Sequence, residues 1–264
     1  MIMDLEIKPY YSTDLGDLYH ADCLDLLPKI PDKSVDCIIT SPPYWKGFEY
    51  EAYFNSYIQY IGWCKRWLLE CKRILKLDGT FYLNCINDSE ITTRAFELLQ
   101  VTENIMFKLH ETILWYRYNQ QPANTDRQLT NQCEYIFMLR HSSAGVKLDK
   151  TTVLNNFPSV FKTKNVGNVW EIPFNSGKNK DIVGFGKKET ASKWGHSGFP
   201  LQIPEICLLL STKEKDIVLD MFMGSGTTAV ASKKNNRNFI GCDVSEKYCE
   251  IAAKRIHNMD RNLF

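Results

Sequence analysis

The chain has 264 residues, of which 44% are hydrophobic and 24% are charged, and its formal net charge is +1. This length and composition are typical of a globular protein with one large domain, or with one domain that carries a substantial insertion. No apolar run approaches the roughly 18 residues that a membrane span requires, and the amino terminus lacks the basic-then-apolar pattern of a signal peptide. The nine cysteines form no Cys-x-x-Cys pair. Neither a zinc site nor a redox dithiol is therefore indicated, and we expect a reducing, cytoplasmic location.

Short apolar runs and one long helical pattern make up the first half of the chain. Apolar residues between Tyr53 and Lys76 recur at helical spacing, and Asp78-Gly79 supplies turn chemistry behind them. We therefore predict a helix over 53–76 that closes at Asp78-Gly79. The predicted strands of this half are 18–22, 35–41, 80–86, 104–117 and 133–141.

Residues 142–200 change in character, with Asn, Gly, Ser, Lys and isolated aromatics, and they predict a loop-rich insertion. Regular elements follow it: a helix over 203–212, a strand over 216–222, a helix from Thr227, a strand over 238–244 and a helix from Glu246 to Met259. Strands that alternate with helices in this way predict a doubly wound, mostly parallel α/β sheet.

Basic residues are concentrated in the insertion. Residues 141–200 hold nine lysines and four acidic side chains, whereas residues 1–140 are net acidic. Such asymmetry favours a local surface for a polyanion, and the alternative is an ordinary solvated, lysine-rich insertion.

The segment Ser-Pro-Pro-Tyr-Trp at 41–45 directly follows the second predicted strand. Pro42 and Pro43 remove two backbone donors and fix φ near −65°, which makes the segment rigid and extended. It offers free carbonyls, the hydroxyl of Ser41 and the faces of Tyr44 and Trp45. The alternative interpretation is an ordinary strand end followed by a proline loop.

A glycine turn, "DMFMGSGTTA" at 220–229, lies between a predicted strand and a predicted helix. Gly224 and Gly226 allow a tight turn and a close approach to a ligand, and the helix start favours a carboxylate or phosphate. Together with Ala229 they also satisfy the G-x-G-x-x-A fingerprint of a dinucleotide site. Asp220 opposes a pyrophosphate but suits an ammonium group, so the turn favours S-adenosylmethionine over NAD, with a purely structural turn as the remaining alternative.

Taken together, these segments resemble the amino-group DNA methyltransferases. The match lies in "SPPYW" and "DMFMGSGTT", and their order along the chain is similar to the β-class arrangement of that family. Residues 20–45, 113–140 and 196–205 also resemble family blocks. The resemblance implies a Rossmann-like methyltransferase fold with a permuted motif order. It further implies a catalytic half at 1–140, a target-recognition insertion at 141–195 and a cofactor-binding half at 196–264.

The resemblance also implies site residues. Asp22 and Cys23 would bind the adenine of S-adenosylmethionine, and Asp243 its ribose. The catalytic residues would be Ser41, Pro42, Pro43 and Tyr44. The methionine end would be bound by Asp220, Phe222, Gly224 and Gly226, its carboxylate by Ser225 and Thr227, and the segment with His196, Phe199 and Pro200 would close over it. Candidates for DNA phosphate contacts are Lys162, Lys164, Lys187 and Lys188, and Arg117, Asn119 and Arg127 could reach DNA or be ordinary surface residues.

Ser41 before Pro-Pro-Tyr resembles the cytosine-N4 type of the family, whereas Asp or Asn at that position implies adenine N6. The expected partners are double-stranded DNA and a cognate restriction endonuclease, with no metal and no membrane, and the protein would be a monomer or a homodimer. The alternatives are an adenine-N6 enzyme, an NAD-dependent oxidoreductase and a non-catalytic DNA-binding module. In the methyltransferase, Tyr44 would stack on a base flipped from the duplex.

Overall fold

A computed structural model describes residues 3–45, 54–86, 93–119, 129–141, 145–173 and 198–261. Within these ranges a nine-stranded sheet has the order β1-β2-β9-β8-β3-β4-β6-β5-β7. The strands are β1 (Tyr11–Ser12), β2 (Gly16–His20), β3 (Val35–Thr40), β4 (Leu75–Cys85), β5 (Phe107–Tyr116), β6 (Cys133–His141), β7 (Val169–Glu171), β8 (Ile217–Asp220) and β9 (Asn238–Asp243). The five central strands β2, β9, β8, β3 and β4 are parallel, and β6 runs antiparallel to both of its neighbours.

Helices cover both faces of the sheet. On one face lie α1 (Cys23–Leu26), α2 (Tyr57–Ile74) and α3 (Arg94–Asn104), and on the other lie α4 (Lys150–Asn156), α5 (Gln202–Ser211), α6 (Thr227–Lys234) and α7 (Glu246–Arg261). An apolar core lies between the sheet and the helices on each face, and alternate residues of β3 point into the two cores. Ile38 packs with α2, whereas Cys37 and Ile39 pack with α5. The predicted doubly wound, mostly parallel α/β sheet is thus confirmed. None of the described helices is long and apolar enough to cross a membrane.

The boundary between α2 and β4 differs from the prediction. The helix ends at Ile74 and the strand begins at Leu75, whereas the helical pattern predicted a helix to residue 76. Leu75 pairs with Val35 of β3, and the Nζ of Lys76 lies 2.6 Å from a carboxylate oxygen of Asp36. The N–H of Leu75 still donates to the carbonyl of Cys71 in α2, but its backbone is already extended and in register with β3, so strand pairing overrides the local helical spacing.

The described part of the predicted insertion, 145–173, contains a helix and a strand. Asp149 caps α4 by accepting a hydrogen bond from the backbone N–H of Thr152 at 2.9 Å. β7 pairs in parallel with β5, and the indole N–H of Trp115 donates to the carbonyl of Ile172 at 2.7 Å. Trp170 is fully buried in the core against α5. This segment is consequently part of the sheet and its core, and the assignment of 141–195 to target recognition stays a prediction.

The burial of Trp170 gives a stability prediction. Trp170→Ala leaves a large cavity, and we expect it to lower the free energy of unfolding by about 3–5 kcal/mol. Val169→Ala, next to it on the same strand, is the matched control, because the Val169 side chain is 49% exposed. Urea unfolding followed by circular dichroism measures both. If both variants lowered the free energy of unfolding by the same small amount, 145–173 would not be part of the cooperatively folded core.

Candidate active site

The carboxyl ends of the five central strands meet at one edge of the sheet, where ligands bind in open α/β sheets. Asp22 follows β2, Asp243 ends β9, Asp220 ends β8 and Ser41 follows β3. His20 and Asp243 are register partners, and the N–H of Ala21 donates to the carbonyl of Asp243 at 3.1 Å. The structure therefore brings motifs that are far apart in sequence to a single edge.

The backbone of the Ser41–Trp45 segment, hereafter the catalytic loop, is held by side chains of two helices. The hydroxyl of Tyr60 in α2 donates to the carbonyl of Pro43 at 2.8 Å. Arg94, at the start of α3, donates to the carbonyl of Tyr44 and, at 2.6 Å, to that of Trp45. Its guanidinium also lies 5.4 Å from the centre of the Trp45 ring. These contacts fix the loop from both helices.

The carbonyl of Pro42 differs from those of the three residues that follow it. Pro42 is buried, and within the described part of the chain no residue donates a hydrogen bond to its carbonyl. A buried carbonyl oxygen without a donor is energetically costly. This oxygen is therefore a candidate acceptor for a ligand.

Hydrogen bonding fixes the direction of the Ser41 hydroxyl. The Tyr44 hydroxyl donates to the backbone carbonyl of Asn84 at 3.0 Å and also bonds to the Ser41 Oγ. Because Tyr44 has one hydroxyl proton and the carbonyl can only accept, Ser41 donates to Tyr44. Burial raises the pKa of the Tyr44 hydroxyl well above its usual value, so Tyr44 keeps that proton. The Ser41 Oγ also accepts a long hydrogen bond from the Asn84 amide at 3.4 Å, which leaves one lone pair available as an acceptor.

A buried polar network lies behind this pair. The side-chain amide of Asn84 donates to a carboxylate oxygen of Glu134 at 2.9 Å and lies 3.4 Å from the Ser41 Oγ. Arg117 donates to the other carboxylate oxygen of Glu134 at 3.0 Å, and the side chains of Arg117 and Glu134 are 5% and 8% exposed. Arg117 was a candidate for a DNA contact or an ordinary surface residue, and its burial in this ion pair corrects both interpretations.

The glycine turn is built as the motif predicts. Gly224 and Gly226 have φ of 51° and 83°, and a Cβ on Gly226 would lie 2.8 Å from the Cβ of Ala252 in α7. Gly226 therefore requires glycine, and the left-handed backbone at Gly224 favours it. Asp243 accepts hydrogen bonds at 2.9 Å from the N–H of Gly224 and from the N–H of Ser245, and burial raises its pKa.

Asp220 joins the glycine turn to the catalytic loop. Its carboxylate is 2% exposed and accepts hydrogen bonds from the hydroxyl of Thr40 at 2.7 Å, from that of Thr228 at 2.6 Å and from the N–H of Phe222 at 3.1 Å. Thr40 directly precedes Ser41. Burial raises the pKa of Asp220 to about 6, although its hydrogen bonds oppose the rise.

The remaining predicted cofactor residues surround these two motifs. Asp22 is exposed and caps α1 by accepting from the N–H of Leu24 at 2.8 Å, while Cys23 is buried. The Phe222 ring packs against the indoles of Trp63 and Trp67.

The segment at 198–200 lies beside the glycine turn. A Cβ on Gly198 would be 3.9 Å from the hydroxyl oxygens of both Ser225 and Thr227. Phe199 and Pro200 are buried. His196 lies outside the described residues, so its predicted role is untested.

Two of the four candidate DNA-contact lysines can be placed. Lys162 is exposed and forms a surface ion pair with Glu171 at 2.6 Å, and Lys164 is exposed. A surface pair of this kind is weak and can exchange for a phosphate. Lys187 and Lys188 lie outside the described residues. No group of side chains in the described ranges could hold a metal ion.

Residues 35–254 match the family model of the N6/N4 methyltransferases, whose description is DNA methylase. The chain belongs to this family of DNA methylases. Membership confirms the S-adenosylmethionine-dependent amino-group methyltransferase that the motifs predicted.

Individual relatives cover most of the chain. The type II methyltransferase M2.LlaDCHI of Lactococcus lactis subsp. cremoris is 31% identical over 277 residues, which are 96% of this chain and 93% of the relative. The fold matches that of PvuII DNA methyltransferase, described as cytosine-N4-specific, with a TM-score of 0.75 and 22% identity over 94% of this chain and 88% of that one. A complex of M1.HpyAVI with S-adenosylmethionine matches with a TM-score of 0.65 and 23% identity over 92% and 99%.

Four residues around the catalytic loop are not among the site residues that the motifs predict: Asn84, Glu134, Tyr60 and Arg94. Asn84 is a polar residue inside an otherwise apolar strand pattern, and this signal could have marked it. The other three carry no comparable signal, since their role depends on how α2, α3 and β6 pack around the catalytic loop.

The environment of Asp220 gives a pH prediction. Its folded-state pKa of about 6 exceeds the ordinary value of 3.8, so the folded protein binds this proton more tightly than the unfolded chain. The resulting stabilisation is present below the unfolded pKa and is lost as the pH rises through the folded pKa. Asp220→Asn does not titrate. Its stability relative to the natural chain should therefore increase between about pH 4 and pH 7.5, by up to about 3 kcal/mol.

Urea unfolding at the two pH values measures this difference. Asp78→Asn, at an exposed position of β4, controls for the loss of one negative charge. A difference between Asp220→Asn and the natural chain that is the same at both pH values would contradict the assignment of a buried, raised-pKa carboxyl.

Proposed function

We propose that the protein transfers a methyl group from S-adenosylmethionine to the exocyclic N4 amino group of cytosine in duplex DNA. The observation that carries the proposal is a pair of acceptors in the catalytic loop, the remaining lone pair of the Ser41 hydroxyl and the carbonyl of Pro42. An exocyclic amino group presents two N–H donors, and two fixed acceptors are their complement.

The two acceptors would increase the nucleophilicity of the target amino group. The lone pair of an exocyclic amino group is delocalised into the ring, so the nitrogen is a poor nucleophile. Acceptance of both N–H groups by Ser41 and Pro42 favours a pyramidal nitrogen whose lone pair points out of the ring plane. Because the acceptors are fixed before the reaction, they act by positioning and electrostatics, and no covalent enzyme intermediate is required.

Tyr44 fits a base that has left the helical stack. It is half-buried with its hydroxyl fixed by Asn84, so its ring is held in the loop that carries both acceptors. A flipped base stacked on this ring would place its amino group near Ser41 and Pro42. The proton released after transfer passes to solvent, since Ser41 is a weak base.

The residues around the glycine turn have the chemistry of S-adenosylmethionine. Asp220 would face its ammonium group, Asp243 its ribose hydroxyls, Asp22 and Cys23 its adenine, and the hydroxyls of Ser225 and Thr227 its carboxylate. Asp220 and Asp243 already accept hydrogen bonds from the protein, but a carboxylate offers about four acceptor positions. The bound cofactor supplies an electrophilic sulfonium methyl, and the chain's part is to hold the amino nitrogen in line with it.

Two observations support cytosine N4 as the target. Serine, and not Asp or Asn, precedes the two prolines, and PvuII DNA methyltransferase, which shares this fold, is described as cytosine-N4-specific. Adenine N6 is the second candidate, because the family model spans N6 and N4 enzymes.

The relatives favour a role in restriction and modification. M2.LlaDCHI is named as a type II methyltransferase, and we infer a similar role here, beside a cognate endonuclease that cuts the same site. Within the chain, residues 141–195 would recognise the target, with Lys162, Lys164, Lys187 and Lys188 contacting phosphates, while 1–140 and 196–264 supply catalysis and cofactor binding. Phosphate contacts position a protein on DNA without specifying bases.

Methylation of mixed-sequence DNA followed by mass analysis of nucleosides tests the target base. We expect N4-methylcytosine, and we expect none when Ser41→Ala replaces the natural chain. N6-methyladenine without N4-methylcytosine would refute the base assignment and leave the enzyme class intact. Methylation of neither base by folded protein that binds S-adenosylmethionine would refute both.

The Tyr44 network gives a separate prediction. Tyr44→Phe keeps the stacking face but removes the acceptor of the Ser41 proton, so we expect kcat to fall about two- to tenfold, the equivalent of one hydrogen bond, with little change in DNA affinity. Tyr44→Ala should also lose about 1–3 kcal/mol of stacking. Single-turnover methylation and DNA binding are the two measurements. Tyr116→Phe, on β5 outside the catalytic loop, is the control, and full activity of Tyr44→Ala would contradict the stacking role.

A further inference from the structure

Arg255 of α7 reaches the glycine turn. Its guanidinium Nη1 donates to the carbonyl of Ser225 at 2.6 Å, to the Ser225 hydroxyl at 2.8 Å and to the Thr227 hydroxyl at 3.2 Å. Arg255 is half-buried. The two hydroxyls that it contacts are those that would bind the carboxylate of the cofactor.

The position of Arg255 is fixed by packing one turn earlier in the same helix. Ala252 lies directly against Gly226, so closely that a Cβ on Gly226 would be 2.8 Å from that of Ala252. This contact sets the distance between α7 and the turn and places Arg255 beside Ser225. Gly198, whose Cβ would be 3.9 Å from the same two hydroxyls, lies next to them as well.

The charge at this edge of the sheet explains why a cation is needed there. Asp22, Asp243 and Asp220 all stand at the carboxyl ends of neighbouring strands. They suit an ammonium, a sulfonium and ribose hydroxyls, but they disfavour the carboxylate that the same ligand carries. The guanidinium of Arg255, held at Ser225, offsets this excess of negative charge where the carboxylate would bind.

We propose that Arg255 is a specificity-determining residue for the cofactor, which it selects by the α-carboxylate of the methionine moiety. It acts by orienting the hydroxyls of Ser225 and Thr227 toward the carboxylate and by adding positive charge to the helix start that faces it. The inference rests on the proposed placement of the methionine end over the glycine turn. It concerns ligand selection and is independent of the target base.

A pair of ligands isolates the carboxylate. S-adenosylmethionine and its decarboxylated analogue share the adenosine, the sulfonium and the amine, and they differ in the carboxylate alone. Titration calorimetry of the full chain without DNA gives the dissociation constant of each. We expect the natural chain to prefer the carboxylated ligand by at least about tenfold. Arg255→Gln should weaken S-adenosylmethionine by about tenfold and leave the decarboxylated analogue nearly unchanged.

Two variants complete the test. Lys254→Gln removes a positive charge from the adjacent, exposed position, where Lys254 pairs with Glu250, and it should leave the preference intact. Arg255→Lys keeps the charge without the planar fork and should retain part of the preference. Thermal unfolding of each variant reports whether α7 still packs, and Arg255→Lys provides the comparison if Arg255→Gln does not fold.

The outcomes separate the two claims. Equal binding of both ligands by the natural chain would overturn the placement of the methionine end, and the proposal with it. A preference in the natural chain, with equal losses for both ligands in Arg255→Gln, would overturn the selective role and leave the placement standing. Loss of the preference in Lys254→Gln would show that net charge, and not Arg255, is responsible.

Discussion

The rest of the site depends on the hydrogen bonds that the buried carboxylate of Asp220 accepts. This carboxylate binds the hydroxyl of Thr40, one residue before the catalytic loop, and the hydroxyl of Thr228, in the first turn of α6. A single side chain thus connects the loop that is proposed to position the target amino group with the turn that is proposed to position the methyl donor. Direct transfer requires the two reactants to be in line at short distance, so a rigid connection between them contributes to catalysis. The raised pKa of Asp220 shows that this connection is made at a cost in desolvation.

The parallel sheet makes this connection possible. Thr40 and Asp220 are 180 positions apart in sequence, but β3 and β8 are neighbours in the sheet and end at the same edge. The order of the motifs along the chain is therefore of little consequence to the site. What matters is that each motif follows a strand of the central group, because the carboxyl ends of parallel strands lie together. A permuted motif order is compatible with the same chemistry for this reason.

The parts of the fold that sequence predicts are those governed by local patterns. The strand before Ser41, the glycine turn and the elements after residue 200 could be located from periodicity and turn chemistry. The end of α2 could not, because Leu75 is taken into the sheet by its pairing with Val35. Trp170 and Phe161 looked like isolated aromatics, and only the pairing of β7 with β5 shows that they are core residues. The Asn84–Glu134–Arg117 network likewise arises from β4 and β6 lying side by side.

In the proposed reaction this network would allow a neutral serine to be a sufficient acceptor. Glu134 forms a buried ion pair with Arg117, and removing either partner of such a pair costs about 3–5 kcal/mol. The pair therefore holds the Asn84 amide in one orientation, while the backbone carbonyl of Asn84 receives the Tyr44 proton and Tyr44 receives that of Ser41. The hydroxyl protons of Ser41 and Tyr44 thus point toward the Asn84 carbonyl, while the Asn84 amide donates back to both oxygens at 3.4 Å and 3.3 Å. In the proposed reaction Ser41 would accept from an incoming amino group through its remaining lone pair, without being deprotonated and without a charge that DNA phosphates would repel.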